Sequence, residues 1–246
     1  MNNPPTNPAA IPPPVPPTPP GPFVFAPLPD AHRPGAALEA LLKRPGQLIY
    51  QLHHARRGPI AATLALVALI CLAGYGLAVG SFSGHEQWWA APVKIVGGTF
   101  LSALICLPSL YIFASLGGAD LRLGPLCGTL LAVLCLNALL LVGFAPVAWV
   151  FSQSTDSVAL IGTLHLGFWV VGAVFALRLL SALVEFVNPY AGKGYLRVWF
   201  VVFLLVCLQM TTALRPLVGR DATFLPAKKL FFLSHWSQNL FGQPTE

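Results

Sequence analysis

The sequence predicts an all-α membrane protein, a polytopic bundle of about five transmembrane helices with a disordered proline-rich N-terminal tail. This prediction rests on 56% hydrophobic against 9% charged residues, a mean hydropathy of +0.72, and prolines crowded near the N-terminus. A soluble domain usually has about 25% charged residues. The composition excludes a soluble enzyme, a disulfide-stapled secreted domain and an ordinary nucleic-acid-binding protein, although the net charge is +6.

The tail, residues 1–35, contains 14 of the 24 prolines and lacks the basic start and apolar run of a signal peptide. Proline fixes φ and has no amide donor, so we expect disorder with polyproline II character and little burial. The tail is either a semi-rigid spacer or a ligand for Src-homology or WW domains, which bind P-x-x-P. The prolines that could bind a partner are Pro12, Pro13, Pro14, Pro16, Pro17 and Pro19.

Residues 36–57 form a basic amphipathic segment beside the first span. Apolar residues recur at spacings of three, four and seven, which predicts one face of a helix, and Pro45 divides the segment into two short helices. The basic pairs at 43–44 and 56–57 dominate the polar side. We expect this segment to lie on the headgroup surface. Its apolar residues are Leu38, Leu41, Leu42, Leu48, Ile49 and Leu52.

Residues 58–216 contain five apolar stretches, each near the roughly 20 residues that cross a hydrocarbon core. Two short motifs, Gly76-x-x-x-Gly80 and Gly98-x-x-x-Ser102, supply small faces for helix packing. Residues 217–246 are too polar to span and are predicted to lie at the interface. The predicted spans are 59–79, 95–117, 123–147, 158–180 and 198–214. The tryptophans near their ends, where indole rings favour the interface, are Trp88, Trp89, Trp149 and Trp199.

The flanking Lys and Arg residues predict the orientation. With a cytoplasmic N-terminus, nine lie inside and five outside, which favours an external C-terminus. If one span is re-entrant, the C-terminus returns to the cytoplasm and the count becomes thirteen against one. The nine inner residues are Arg33, Lys43, Arg44, Arg56, Arg57, Arg122, Arg178, Lys193 and Arg197, and the five outer ones are Lys94, Arg215, Arg220, Lys228 and Lys229.

Polar residues inside spans are the candidate functional residues, because burying them in lipid is costly. Asn137, His165 and Gln209 lie within spans, and Arg178 and Glu185 lie seven residues apart at the inner end of the fourth. We expect Asn137 and Gln209 to bond across helices as structural residues. His165 is interpreted as a bonded packing residue, with a proton carrier as the alternative.

Catalytic and metal-binding motifs are missing from the sequence. The five cysteines lie inside apolar runs without a Cys-x-x-Cys pair, whereas metal and redox sites need close thiolates at set spacings. Hydrolase, metalloprotease and nucleotide-binding motifs are absent too. We therefore predict a protein that is not an enzyme and that has no catalytic residue, cofactor or metal site.

The plan of a disordered tail, an amphipathic stretch at Leu41–Gly46 and five packed spans resembles the Yip-type membrane proteins. These are the Rab-GTPase-interacting family of eukaryotes with their bacterial relatives. The segment Ala103–Tyr111 looks like the proline-bearing second span of such bacterial relatives. The resemblance covers residues 36–214 and implies a membrane-organising or partner-binding role in a bacterial inner membrane.

Two functions remain open from the sequence. The first is a scaffold or adaptor that contacts the lipid bilayer and binds a protein partner through its cytoplasmic tail, or associates with a second copy of itself. The second is a small transporter or channel subunit with Asn137, His165 and Gln209 along a path. The two functions differ in whether these three side chains converge on one point or face separate neighbours.

Overall fold

The protein is a bundle of helices. Among the residues that the computed structural model describes there are seven α-helices and no strand, which confirms the predicted all-α class. The described residues are 23–28, 34–54, 57–83, 87–119, 121–155, 157–188 and 193–213. The helices are α1 (Pro34–Lys43), α2 (Pro45–His54), α3 (Arg57–Ser83), α4 (Gln87–Leu116), α5 (Leu123–Ser154), α6 (Val158–Val187) and α7 (Lys193–Ala213). The P-x-x-P prolines and the predicted interfacial C-terminal segment lie outside these residues.

Four helices are long and apolar enough to cross a bilayer, which identifies a membrane protein by length and composition. These candidate spans are Gly58–Ser81, Trp88–Leu116, Leu123–Ser154 and Leu160–Val187. The predicted fifth span corresponds to a shorter apolar stretch in α7, Gly194–Met210. At about 1.5 Å per residue this stretch covers about 25 Å, somewhat less than a hydrocarbon core of roughly 30 Å.

The helices pack in the order α6, α5, α3, α4, α7, with a smaller contact between α6 and α7. Small residues allow the closest approaches between them. A Cβ at Gly76 in α3 would lie 2.5 Å from Pro92 Cα in α4, so the first small-residue motif serves packing within the chain. At the end of α4, Gly118 has a φ of 84°, and its carbonyl accepts a 3.0 Å hydrogen bond from Asn188 Nδ2 beyond α6.

Helices α1 and α2 cover one end of this bundle, here called the capped end. Leu48, Ile49 and Leu52 of α2 are at most 1% exposed, and α2 contacts α3, α5 and α6. The apolar stripe expected on the headgroup surface therefore packs against protein. The physical reason lies in α5, whose first turns are buried beneath the cap and carry Gly128, where a Cβ would lie 3.0 Å from Leu52. Leu42 is the exception, with 57% exposure.

The last part of the proline-rich tail is also packed on the protein. Phe23, Phe25 and Leu28 are partly buried against the core, and α1 already begins at Pro34. The expectation of disorder with little burial for residues 1–35 therefore does not hold at Phe23, Phe25 and Leu28, which pack on the core. The reason is local composition, because Phe23–Leu28 carries four large apolar side chains and a single proline.

Candidate functional site

Asn137 lies near the middle of α5 and is 8% exposed. Its side chain faces Gly172 of α6, where an added Cβ would overlap Asn137 Oδ1. In the part of the chain that the structure describes, this oxygen accepts no hydrogen bond. The predicted interhelical bond is therefore not made by Asn137 Oδ1. Gly172, which lies opposite this oxygen, has no side chain that could donate a hydrogen bond to it.

His165 of α6 joins its helix to α3. A 2.5 Å hydrogen bond links the Tyr75 hydroxyl and His165 Nδ1, and the two rings meet edge to face at 5.4 Å. Phe168, stacked on Phe144 at 4.5 Å, lies beside the imidazole. Sequence reasoning missed Tyr75, although it is the one tyrosine in the predicted first span and so the only phenol there that could bond to a polar side chain.

The other candidates lie elsewhere in the bundle. Arg178 is exposed on α6, with its guanidinium carbon 5.5 Å from the centre of the Phe175 ring. Glu185 is half-buried about 10 Å further along the same helix, given about 1.5 Å per residue. Gln209 is half-buried on α7. The structure therefore does not bring Arg178 and Glu185 together as a pair.

The intramembrane polar residues do not share one point of contact. Asn137 meets α6 at Gly172, whereas His165 is seven residues away on that helix, about 10 Å along the axis, and reaches α3. Gln209 belongs to α7, which packs mainly on α4. Asn137 and His165 therefore face separate neighbours, and Gln209 lies on a third helix.

Lys94 and Trp199 lie in surroundings that the sequence did not predict, because both side chains are buried. Lys94, predicted to be an external flank, lies inside α4 and is 2% exposed. The predicted second span began one residue after it, whereas α4 begins at Gln87. The exposed pair Trp88 and Trp89 marks that earlier boundary, since indole rings favour the membrane interface.

Trp199 is the second such residue, because its side chain is buried inside the bundle, with 1% exposure. Its indole Nε1 donates to the Cys106 carbonyl at 3.3 Å and to Ser109 Oγ at 3.0 Å, both in α4. Its ring stacks on Phe203 at 5.3 Å. The side chain packs α7 against α4 beside Pro108, so the close contact between these helices outweighs the interfacial preference of tryptophan.

An aromatic groove at the capped end holds residues Phe23–Leu28 of the tail. We define it by Gly46, Tyr50 and His53 of α2 and Phe186 of α6. The Phe25 ring lies 4.9 Å from the Phe186 ring, which also contacts Tyr50 at 6.1 Å and His53 at 5.2 Å. A Cβ at Gly46 would lie 2.6 Å from the Val24 carbonyl oxygen, so only glycine lets the tail backbone approach α2 this closely.

In the described part of the chain, no three His, Cys, Asp or Glu residues cluster in a way that could hold a metal ion. The five cysteines are all free thiols, and two of them, Cys106 and Cys135, are buried. No protein-family model, curated protein or solved structure matches this sequence.

Proposed function

We propose that this membrane protein is a non-enzymatic scaffold or adaptor of the Yip type, which presents its proline-rich tail to a partner. The observation that carries the proposal is the docking of Phe23–Leu28 in the aromatic groove. A tail that served only as a spacer between two parts of a protein would not need a binding site on the bundle. The P-x-x-P prolines, Pro12–Pro19, precede Phe23 in the sequence by four to eleven residues.

The distribution of charge supports a cytoplasmic position for the tail. Lys43, Arg44, Arg122 and Arg197 are exposed, and each lies in or beside the helix ends that form the capped end. Cytoplasmic flanks of membrane proteins carry an excess of Lys and Arg. The capped end then faces the cytoplasm, and a bacterial inner membrane is the location that we propose.

Proximity labelling in intact cells tests the proposal, with the labelling enzyme fused to the N-terminus. A variant with Pro13, Pro14, Pro16, Pro17 and Pro19 changed to alanine keeps the length of the tail and removes every P-x-x-P spacing among them. We expect specific protein neighbours of the wild type to be lost in this variant, because polyproline recognition depends on the preformed helix.

A matched control distinguishes partner binding from folding. Changing Pro4, Pro5 and Pro8 to alanine alters the same tail outside the dense run. We expect its labelled neighbours to equal those of the wild type. Identical neighbours for all three proteins would overturn the adaptor function and leave the tail as a spacer.

One observation favours the second function, a small proton-coupled transporter. The Tyr75–His165 hydrogen bond places two groups able to exchange a proton within the helix bundle. Proton flux into vesicles of reconstituted protein, compared with His165→Leu, tests this function. Flux that disappears in the variant would favour the transporter over the scaffold.

A further inference from the structure

We propose that Phe23–Leu28 is a releasable latch. A molecule that recognises the adjacent proline run can bind that run fully only when the latch has left the aromatic groove. The coupling to a partner rests on the proposed function, whereas the latch itself rests on contacts seen in the structure. We define the latch as residues 23–28.

The latch is held mainly by rings and by close backbone approach. Phe25 packs on Phe186 at 4.9 Å, and the Phe23 and Phe25 rings are 6.4 Å apart. Among the described residues, no backbone hydrogen bond joins residues 23–28 to a helix or strand. A segment without such hydrogen bonds, held on the core by three partly buried side chains, belongs to the low-stability end of a fold, where local opening is easiest.

Two features argue that the groove is shaped for this segment. Gly46 is the second residue of α2, and an added Cβ there would lie 2.6 Å from the Val24 carbonyl oxygen, 3.1 Å from its carbon and 3.3 Å from Phe23 Cβ. All three contacts are with the latch. Phe186, near the end of α6, contacts both the Phe25 ring of the latch and the rings of Tyr50 and His53 in α2.

Chain geometry couples the latch to the prolines. Pro19 precedes Phe23 by four residues, which span at most about 14 Å even when fully extended. A recognition domain of about 60 residues has a radius of gyration near 10 Å, so its outer surface lies further out still. A domain of this size bound at Pro16–Pro19 therefore fits beside the docked latch only if the linking residues run directly away from the capped end, and release of the latch removes this restriction.

Proteolysis of the full-length protein in detergent micelles measures the latch directly. Chymotrypsin cleaves after Phe23 and Phe25, and mass spectrometry identifies the products that begin at Val24 and Ala26. We expect the wild type to be cut at least about 10-fold more slowly than a free peptide of residues 15–32, because cleavage follows the population of the open form.

The decisive variant is Gly46→Ala, and Gly58→Ala is its matched control. Both glycines are the second residue of a helix, but a Cβ at Gly58 meets nothing within 4 Å. We expect Gly46→Ala to be cut nearly as fast as the free peptide and Gly58→Ala to be cut like the wild type. Phe186→Ala, which removes the ring beneath Phe25, should also expose the latch.

A Fab fragment against residues 11–20 then tests the coupling without any natural partner. If only the open form binds fully, the apparent Kd is the intrinsic Kd divided by the open fraction, so the Fab should bind Gly46→Ala about 10-fold more tightly than the wild type. Wild-type cleavage at the rate of the peptide, or protection retained in both Gly46→Ala and Phe186→Ala, would overturn the latch. Equal Fab affinity for wild type and Gly46→Ala would overturn the coupling, and neither result would bear on the adaptor function itself.

Discussion

The two ends of the bundle differ in how far their apolar side chains are buried. At the capped end, protein covers the apolar surface, since Leu48, Ile49 and Leu52 of α2 are almost fully buried. At the opposite end, Trp88, Trp89 and Trp149 are more than half exposed. The comparison teaches that an apolar stripe in the sequence indicates that a face is covered, but not whether lipid or protein covers it.

The polar side chains at the two ends also differ in their hydrogen-bond partners. Near the exposed tryptophans, the hydroxyls of Ser152 and Ser154 donate to carbonyls of their own helix, at 2.6 and 2.9 Å. At the capped end, Asn188 instead bonds across to Gly118. The hydrogen bond between Asn188 and Gly118 and the packing of α2 on α3, α5 and α6 thus join separate segments at the capped end.

The largest expected effect concerns which end faces the cytoplasm. Fluorescent-protein fusions at Gly35 and Arg122 should be bright, and alkaline phosphatase fusions at Gln87 and Asp156 should be active, because the positive flanks retain the capped end inside. Each reporter is silent on the wrong side, so the readout is all or none. A cytoplasmic signal at Gln87 would show that the end with the exposed tryptophans, and not the capped end, faces the cytoplasm.

The next effect is the stability that the cap provides. Leu52→Ala should lower the free energy of unfolding, measured by denaturing-detergent titration, by about 2–5 kcal/mol, because it leaves a cavity beneath α2. Leu42→Ala, at an exposed position of α1, is the control and should cost much less. Equal losses at the two positions would mean that lipid, and not the bundle, covers α2.

A smaller effect is expected where α5 and α6 meet between the two ends. Gly172→Ala would place a methyl group on Asn137 Oδ1, and overpacking of this kind typically costs about 1–3 kcal/mol. Gly167→Ala on the same helix is the control, since its Cβ meets nothing within 4 Å. Adding Asn137→Ala to Gly172→Ala should recover part of the loss, and a purely additive double variant would contradict the contact.

The sequence predicted the helical elements better than the contacts between them. Pro45 separates α1 from α2 because proline begins a helix readily but cannot continue one. The long charge-poor runs predicted four of the spans, whose hydrophobicity is a local property. The predicted second span began at residue 95, seven residues after the candidate span begins at Trp88, because Lys94 lowers the summed hydropathy of a run even though its side chain is buried.

The aromatic groove could not be predicted, because its parts are far apart in the chain. Phe25, Gly46 and Phe186 belong to three segments, and nothing in the spacing within any segment indicates the others. The Tyr75–His165 hydrogen bond is a second example, since it joins residues 90 positions apart. Proline content alone predicted disorder for residues 1–35 and concealed the apolar cluster at Phe23–Leu28.

The smallest expected effects distinguish the two intramembrane polar residues. Interhelical hydrogen bonds in membranes average only about 0.6 kcal/mol, with a maximum near 1.7. Asn137→Leu should cost less than that average, or even raise the free energy of unfolding. The reason is that Oδ1 makes no hydrogen bond among the described residues and burying an unpaired oxygen is costly.

Tyr75→Phe should cost more than Asn137→Leu, because it removes a bond of 2.5 Å and leaves His165 Nδ1 unpaired on the side facing α3. The double variant Tyr75→Phe/His165→Leu should cost less than the sum of its two single variants, and the difference measures the bond itself. The unfolding free energy of all four proteins in the same detergent provides the comparison. A larger loss for Asn137→Leu than for Tyr75→Phe would mean that the asparagine binds something in the membrane, and the α5–α6 contact would then become the first place to look for a transported solute.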